Sequence, residues 1–168
     1  MSSSREKTQI LAISFAKKIL KEGVGKTARV CALQGDLGSG KTTFVQGFAK
    51  GLGITRTITS PTFLMIRRYP IPQATSHKPK AIKPLANSDQ QSVGVVRSFM
   101  NFYHLDLYMI NNPKEIMDLG FKEIISNPNN IICIEWAEKL GYELPAHTEK
   151  ITFSYGKKEN ERVIDVKK

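Results

Sequence analysis

The chain has 168 residues and carries 25 Lys and Arg against 15 Asp and Glu, which gives a formal net charge of +10. Its apolar content of 40% and charged content of 24% are those of an ordinary globular protein and exclude a disordered or fibrous chain. No apolar run approaches the roughly 20 residues of a membrane span, and the first residues lack the apolar core of a signal peptide, so we expect one cytoplasmic domain, residues 1–168.

The positive excess is unevenly distributed along the chain. Residues 1–100 hold most of it, whereas residues 101–156 are net acidic. A basic half attracts the phosphates of a nucleotide or of RNA, and an acidic half suits a metal or a basic partner. Cys31 and Cys133 lie in apolar runs without a disulfide framework, and we expect them to be reduced core residues.

The first element is predicted to be an amphipathic helix. Ser3 and Glu6 have the spacing of a capping box, and Gly23 marks the expected end of the helix. Apolar residues recur between these signals at helical spacing, at Ile10, Leu11, Ile13, Ala16, Ile19 and Leu20.

A buried strand and a second helix are predicted next. The apolar run 30–33 stops at a glycine-rich loop, and residues 41–50 then show helical periodicity, with Gly51 and Gly53 as stop signals. Residues 57–69 have the pattern of a loop followed by a strand.

Residues 70–97 differ from the rest of the chain. They are rich in Pro, Ser, Gln and Lys and follow neither helical nor strand periodicity, so they are predicted to form a mobile loop within the domain. A strand is predicted within 98–108, and Pro113 opens a helix that Gly120 is positioned to break.

The end of the chain predicts a buried strand and a hairpin. Residues 131–134 are the most apolar run of four, and segments 150–155 and 162–166 flank a polar turn. Helices interleaved with buried strands indicate an α/β fold with a mostly parallel sheet and a C-terminal antiparallel hairpin.

One motif carries specific chemistry. The pattern G-x-x-x-x-G-K-[ST] is matched by eight consecutive residues and followed by Thr43: Gly35, Asp36, Leu37, Gly38, Ser39, Gly40, Lys41 and Thr42. Glycines let backbone N–H groups surround phosphate oxygens, Lys41 supplies a cation for the β- and γ-phosphates, and the Thr42 hydroxyl can bind Mg²⁺. The sequence therefore predicts a site for nucleotide phosphates and Mg²⁺, in which Lys41 is catalytic, on a three-layer domain like that of the P-loop NTPases.

Two acidic residues are candidates for the metal side of this site. Glu135 is the first charge after the apolar run 131–134, and Asp106 ends the preceding predicted strand. We assign Glu135 to the metal and Asp106 to the attacking water or the γ-phosphate region, both as catalytic residues.

A switch segment is predicted at Ser60, Pro61 and Thr62, between the loop helix and the next strand, where nucleotide switches place a hydroxyl that senses the γ-phosphate. Trp136, the only tryptophan, is either a core anchor or a reporter of nucleotide state to a partner.

These motifs together resemble the TsaE (YjeE) ATPases of bacterial tRNA threonylcarbamoyladenosine synthesis. The resemblance is carried by five segments in the same order: GDLGSGKTTFVQGFAKGLGI (35–54), SPTF (60–63), FYHLDLY (102–108), PKEIMDLGF (113–121) and IEWAEKL (134–140). It implies slow, Mg²⁺-dependent ATP hydrolysis and action with the TsaD–TsaB threonylcarbamoyl transferase. It also implies that Thr8 contacts the adenine.

The chain departs from the family pattern in two places. Met109 stands where relatives usually have Arg, and the loop between SPTF and HLDLY is longer than expected. The sequence identifies no arginine finger, which leaves Arg56, Arg67 or an arginine of a partner.

Two alternative functions remain open at this point. The phosphate loop also suits a small-molecule kinase, and the charge of +10 also suits a basic RNA-binding module. The lysines outside the resemblance offer a surface for tRNA or an acidic partner, and they include Lys78, Lys80, Lys83 and those of the C-terminal tail.

Overall fold

The structure, a computed structural model, describes residues 4–73, 98–158 and 161–167. The helices are α1 (Arg5–Glu22), α2 (Lys41–Gly51), α3 (Lys114–Met117) and α4 (Phe121–Ser126), with a 3₁₀ helix at Ala137–Glu143. The strands are β1 (Arg29–Gln34), β2 (Ile66–Pro70), β3 (Asn101–Asp106), β4 (Asn130–Glu135), β5 (Glu149–Tyr155) and β6 (Arg162–Lys167). No helix among these described residues is long and apolar enough to cross a membrane.

All six strands form one sheet, in the order β2-β3-β4-β1-β5-β6. The four inner strands are parallel, whereas β2 pairs antiparallel with β3 and β6 antiparallel with β5. This topology confirms the predicted mostly parallel sheet with a C-terminal antiparallel hairpin.

The helices cover both faces of the sheet and give the predicted three layers. One face packs against α1 and α2, through a core that includes Cys31, Phe44 and Cys133. The other face packs against α3, α4 and the 3₁₀ helix, through a core that includes Ala32 and Ile134. Alternate residues of β1 and β4 enter opposite cores, which is why these strands are apolar without interruption. Both cysteines are free and buried, as the sequence predicted.

Helix α1 buries a different face from the one that the larger apolar residues suggested. Its buried residues are Thr8, Ala12, Ala16 and Ile19, whereas Ile10 is 62% exposed. Its N-cap is Ser4, whose side chain accepts a hydrogen bond from the backbone of Lys7, so the predicted capping role of Ser3 is wrong. Ser3 itself lies outside the described residues.

Two glycines of α2 explain this choice of face. A Cβ on Gly47 would lie 2.6 Å from the Cα of Gln9, and one on Gly51 would lie 2.7 Å from the Cβ of Ala16. The two helices therefore touch backbone to backbone, which requires small residues on both. Gly51 is a packing residue inside the helix, and only Gly53, with φ of 80°, has the left-handed conformation of a helix stop.

The middle of the chain matches the prediction in part. Gly120, with φ of 80°, separates α3 from α4 as expected, whereas the 3₁₀ helix after β4 was not predicted. Pro70 closes β2 and is not part of the predicted loop 70–97, of which residues 74–97 lie outside the described residues.

Candidate functional site

The candidate site lies where three parallel strands end. Strand β1 leads into the glycine-rich loop, β3 ends at Asp106 and β4 ends at Glu135. Asp106 is the register partner of Glu135 across β3 and β4, and Glu135 is the register partner of Leu33 across β4 and β1. The sheet therefore places both predicted acids beside the loop, at the edge where α/β proteins bind ligands.

The loop conformation depends on glycine at three positions. Gly35, Gly38 and Gly40 have φ of 138°, 75° and 104°, values that other residues rarely adopt. Gly35 has a second constraint, because a Cβ there would lie 2.3 Å from the carbonyl oxygen of Phe153 on β5. Ser39 is buried, and its hydroxyl has no hydrogen-bond partner among the described residues. A donor of this kind is expected where an anion binds.

Lys41 is the buried cation of the site, with 4% of its surface exposed. Its Nζ donates to the carbonyl oxygens of Gly35 and Asp36, at 2.6 and 2.9 Å. The same ammonium lies 3.8 Å from the ring centroid of Trp136. Burial lowers the pKa of Lys41, and the nearby carboxylates, first Glu135, act in the opposite direction. The cation is thus held at the loop by carbonyl dipoles and an aromatic face.

Glu135 connects the loop helix to the sheet. Its Oε2 accepts a hydrogen bond from the Thr42 hydroxyl at 2.8 Å, and its Oε1 lies 2.8 Å from Nε2 of the fully buried His104. His104 thereby fixes the orientation of the carboxylate. In the sequence, His104 was recognisable only as part of the segment FYHLDLY. Its contact with Glu135 could not be predicted, because that contact depends on the register of β3 and β4.

Asp106 collects the hydroxyls of the predicted switch segment. Its Oδ2 accepts from the Ser60 hydroxyl and, at 2.6 Å, from the Thr62 hydroxyl, while its Oδ1 accepts from the backbone N–H of Tyr108 at 3.1 Å. Pro61, between the two hydroxyl residues, is buried. The structure therefore brings the switch segment onto one of the two predicted catalytic acids.

Trp136 has a backbone conformation that is rare for a bulky residue, with φ of 60°. This turn directs the chain away from β4 immediately after Glu135. The indole is half-buried, with the Tyr108 ring 5.2 Å away between centroids. Trp136 thus packs at the edge of the core and presents its ring to the Lys41 ammonium.

A cavity of about 340 Å³ opens beside the loop. Thr8 of α1, Thr43 of α2 and Gly38 and Gly40 of the loop line it, together with Arg162 of β6. Thr8 is buried, and its hydroxyl donates to the carbonyl oxygen of Ser4. Thr8 and Thr43 were both predicted to contact the nucleotide, and the structure places them on one cavity. Leu37, in contrast, is 69% exposed at the tip of the loop.

Sequence comparison agrees with this geometry. A family model described as "Threonylcarbamoyl adenosine biosynthesis protein TsaE" matches residues 2–79 and 90–164. The chain belongs to the TsaE family. The match includes the glycine-rich loop, the switch segment and both acids.

Curated TsaE relatives match over most of this chain. The Bacillus subtilis strain 168 protein is 36% identical over 120 residues, and the Nostoc sp. PCC 7120 protein 35% identical over 130. These alignments cover 71% and 76% of this chain, but 58% and 63% of the relatives, so the chain spans less than two thirds of their length. The Treponema pallidum protein is 31% identical over 135 residues, which are 80% of this chain and 76% of the relative.

A solved structure supports the same fold. The crystal structure of Bacillus subtilis YdiB superposes with a TM-score of 0.63 at 27% sequence identity. The match covers 97% of this chain and 79% of the YdiB chain.

The C-terminal hairpin adds two residues to the site of this TsaE chain that sequence reasoning missed. The Tyr155 hydroxyl donates to the carbonyl oxygen of Leu37 at 2.6 Å, and Arg162 Nη2 lies 3.4 Å from the carbonyl oxygen of Gly38. The Arg162 guanidinium stacks on the Tyr155 ring at 4.7 Å. No signal in the sequence indicated this, because β6 lies more than 120 residues from the loop and reaches it only through sheet pairing.

The other arginines considered from the sequence lie elsewhere. Arg67 donates to the Thr59 hydroxyl at 2.7 Å, and Arg56 lines a separate groove between α1 and α2. Beside Met109, which departs from the expected family pattern, the Lys139 ammonium donates to the carbonyl oxygens of Tyr108 and Ile110. A cation is therefore present next to this position, supplied by another segment.

The donor set of the TsaE site suits a magnesium ion better than a transition metal. No group of three or more His, Cys, Asp or Glu side chains that could hold a metal is found in the described part of the chain. The Thr42 hydroxyl and Glu135 carboxylate are in contact, and Mg²⁺ is usually bound by one or two such oxygen donors together with phosphates and water. The residues present fit that mode of binding.

Proposed function

We propose that this TsaE chain binds Mg²⁺ and ATP, hydrolyses ATP slowly, and acts in tRNA threonylcarbamoyladenosine synthesis as a nucleotide-dependent partner of the TsaD–TsaB complex. The observation that carries the proposal is the convergence of Lys41, the Thr42–Glu135 pair and Asp106 at one end of the sheet. The family match supplies the pathway.

The phosphates would bind at the glycine-rich loop. The N-terminal N–H groups of α2 and the helix dipole face this position, and an anion there is stabilised by both. Lys41 would exchange its contacts with the loop carbonyls for the β- and γ-phosphates. The flexible side chain of Lys41 allows this exchange. The contacts with the loop carbonyls hold the ammonium close to the position at which it would meet the phosphates.

Thr42 and Glu135 would hold the magnesium ion on the other side of the phosphates. A bound Mg²⁺ neutralises the charge on the β- and γ-phosphate oxygens. His104 acts as a positioning residue, since its bond to Oε1 leaves Oε2 directed at Thr42. The buried imidazole and carboxylate restrict each other, which fixes the position of the acid beside Thr42.

Asp106 would orient the attacking water in competition with its present hydrogen-bond donors. One oxygen, Oδ2, accepts from the hydroxyls of Ser60 and Thr62, and the other, Oδ1, accepts from the backbone N–H of Tyr108. A water that used Oδ2 would displace one of the two hydroxyls. We therefore expect slow intrinsic hydrolysis that is coupled to movement of the switch segment, and a partner that repositions the segment would accelerate it.

The switch segment ends in an exposed apolar pair that suits a protein partner. Phe63 is 91% exposed and Leu64 is 62% exposed, directly after Thr62. Apolar side chains exposed to this extent on a loop are typical of a binding surface. Phe63 and Leu64 directly follow Thr62, whose hydroxyl contacts Asp106. A change in the contacts of Asp106 would therefore move this surface, and the ATP and ADP states would present it differently.

The test uses the purified chain with its TsaD and TsaB homologues. We expect Lys41→Ala to abolish the ATP turnover that the partners stimulate, and Leu64→Ser to lose stimulation while ATP binding remains. Ile10→Ser is the matched control, because Ile10 on α1 has the same exposure of 62%. Unchanged turnover in Lys41→Ala would refute the ATPase assignment, and equal effects of Leu64→Ser and Ile10→Ser would refute the docking surface.

A further inference from the structure

A second cavity lies between α1, α2 and the segment that follows α2. This groove is lined by Arg5 and Gln9 of α1, Gln46 and Lys50 of α2, and residues 53–58 including Arg56. Its volume of about 540 Å³ exceeds the 340 Å³ of the cavity beside the glycine-rich loop. The function proposed above makes no use of it.

The groove is strongly cationic. Three of its lining residues, Arg5, Lys50 and Arg56, carry positive charge, and none carries negative charge. Arg5 donates to the Gln46 side-chain oxygen at 3.1 Å, and Lys50 donates to that of Gln9 at 3.0 Å. Both acceptors are neutral amides, so these hydrogen bonds orient the cations without neutralising them. The ion pairs found in the described part of the chain involve other basic residues.

The walls of the groove are held in place by packing. Gly47 brings α2 against the backbone of α1 at Gln9, so the two helices cannot separate without losing this contact. The Gln46 amide donates to the carbonyl oxygen of Ile58 at 3.1 Å, which fastens the segment 53–58 to α2. The cations are therefore presented on a preformed surface, which lowers the entropic cost of binding.

We propose that this groove binds the phosphodiester backbone of tRNA. Guanidinium and ammonium groups with amide and hydroxyl donors are the side chains that contact nucleic-acid phosphates. A protein partner would require an apolar anchor, but the two apolar residues of the groove, Ile54 and Ile58, are 5% and 4% exposed. Charges and polar donors are therefore what the groove offers for recognition, and a polyanion is the ligand that such a surface selects. The relatives' names refer to tRNA modification.

The test measures binding of a labelled tRNA transcript to the full chain over a range of salt concentrations. We expect the double variant Lys50→Ala/Arg56→Ala to bind about ten-fold more weakly than the unmodified chain. The magnitude of the slope of log K against log salt should decrease by about 1.4 to 1.8, because each of the two lost phosphate contacts contributes about 0.7 to 0.9. Arg5 is left unchanged, since it also lines the nucleotide cavity.

The matched control is Lys17→Ala/Lys21→Ala, which removes two exposed cations of α1 outside the groove. Equal loss of affinity in the two double variants, or no salt-dependent binding by the unmodified chain, would overturn the proposal. A second arm adds polyglutamate at the charge concentration of the RNA. We expect little displacement, and full displacement would show a general anion surface and refute tRNA as the ligand.

ATP binding is measured on the same samples by calorimetry. Both double variants should bind ATP as the unmodified chain does, which shows that they are folded. A chain that binds tRNA through the groove but does not bind ATP would refute the proposed ATPase and leave the groove assignment standing. The two proposals therefore fail separately.

Discussion

Burial of Lys41 disfavours its charged form, whereas binding of phosphates would favour that form. Its ammonium is almost completely removed from water, and this desolvation lowers its pKa from the ordinary lysine value. The contacts with Gly35, Asp36 and Trp136 compensate only in part. The buried cation is thus costly, and the phosphates of the proposed nucleotide would offset this cost.

The lowered pKa gives a pH-dependence with a definite sign. We expect ATP affinity to fall as the pH rises through the pKa of Lys41, because the neutral amine no longer attracts the phosphates. Lys41→Arg is the control, since a guanidinium stays charged to about pH 12 and its affinity should show no such decline. Calorimetric titrations of the two proteins at increasing pH, up to the ordinary lysine pKa of about 10.4, make the comparison. Parallel profiles for the two proteins would contradict the assignment.

At the scale of elements, the contact between α1 and α2 determines which face of α1 is buried, and the sequence of α1 alone does not. The sequence of α1 contains two apolar stripes, one with the large Ile10 and Leu11 and one with the small Ala12 and Ala16. The small stripe is buried, because α2 approaches through Gly47 with no side chain between the backbones. Large residues would hold the helices apart, and the cavity beside the glycine-rich loop and the cationic groove both depend on this spacing.

Gly47→Ala is therefore expected to destabilise the protein. A Cβ placed 2.6 Å from the Gln9 backbone forces the helices apart at a cost of about 1 to 3 kcal/mol, which outweighs the gain in helix propensity. Gly25→Ala is the control, since its nearest neighbour, the Thr27 carbonyl oxygen, would be 3.9 Å away. Its effect should stay within about 0.5 kcal/mol. Urea denaturation measures both, and equal stabilities would contradict the packing argument.

The hairpin of β5 and β6 is expected to contribute to nucleotide binding through Arg162. This residue lines the cavity beside the loop and is held there by the Tyr155 ring. We expect Arg162→Ala to weaken ATP binding about ten-fold, as the loss of one charge-assisted contact does. Lys167→Ala, at the exposed end of the same strand, should leave the affinity unchanged. An equal effect of the two variants in calorimetry would place the nucleotide away from the hairpin.

At the scale of the whole molecule, ligand binding should appear as stability. A ligand that binds only the folded state at about 100 times its Kd adds about 2.7 kcal/mol, which raises Tm by about 5 to 10 °C for a chain of this size. We expect this shift with ATP and Mg²⁺ and not in Lys41→Ala. A thermal unfolding experiment with both proteins measures it, and an equal shift in the variant would mean that ATP binds elsewhere.

At this scale, the cations that contribute to the net charge of +10 lie in distinct parts of the structure. One cation, Lys41, is buried at the loop, and Arg5, Lys50 and Arg56 line the groove between α1 and α2. The lysines at positions 78, 80 and 83, which the sequence suggested as an RNA surface, lie outside the described residues. The proposed RNA contact therefore rests on other cations, of which the sequence had drawn attention only to Arg56, and for a different role.

The local features of this protein could be predicted from its sequence. The glycine-rich loop, Lys41 and Thr42 follow one another along the chain, and their conformation depends on backbone freedom that glycine alone provides. The buried strands β1 and β4 were also predictable, because a strand needs a continuous apolar run wherever both faces of its sheet are covered.

Only the tertiary structure decided which distant residues meet. The contacts of Glu135 with His104, and of Asp106 with Ser60 and Thr62, depend on strand register and on the path of the switch segment. The position of Arg162 depends on the antiparallel pairing of β6. A sequence pattern records the periodicity of each element, but the register between elements is set by packing of the whole core, and side chains far apart in the chain become neighbours only there.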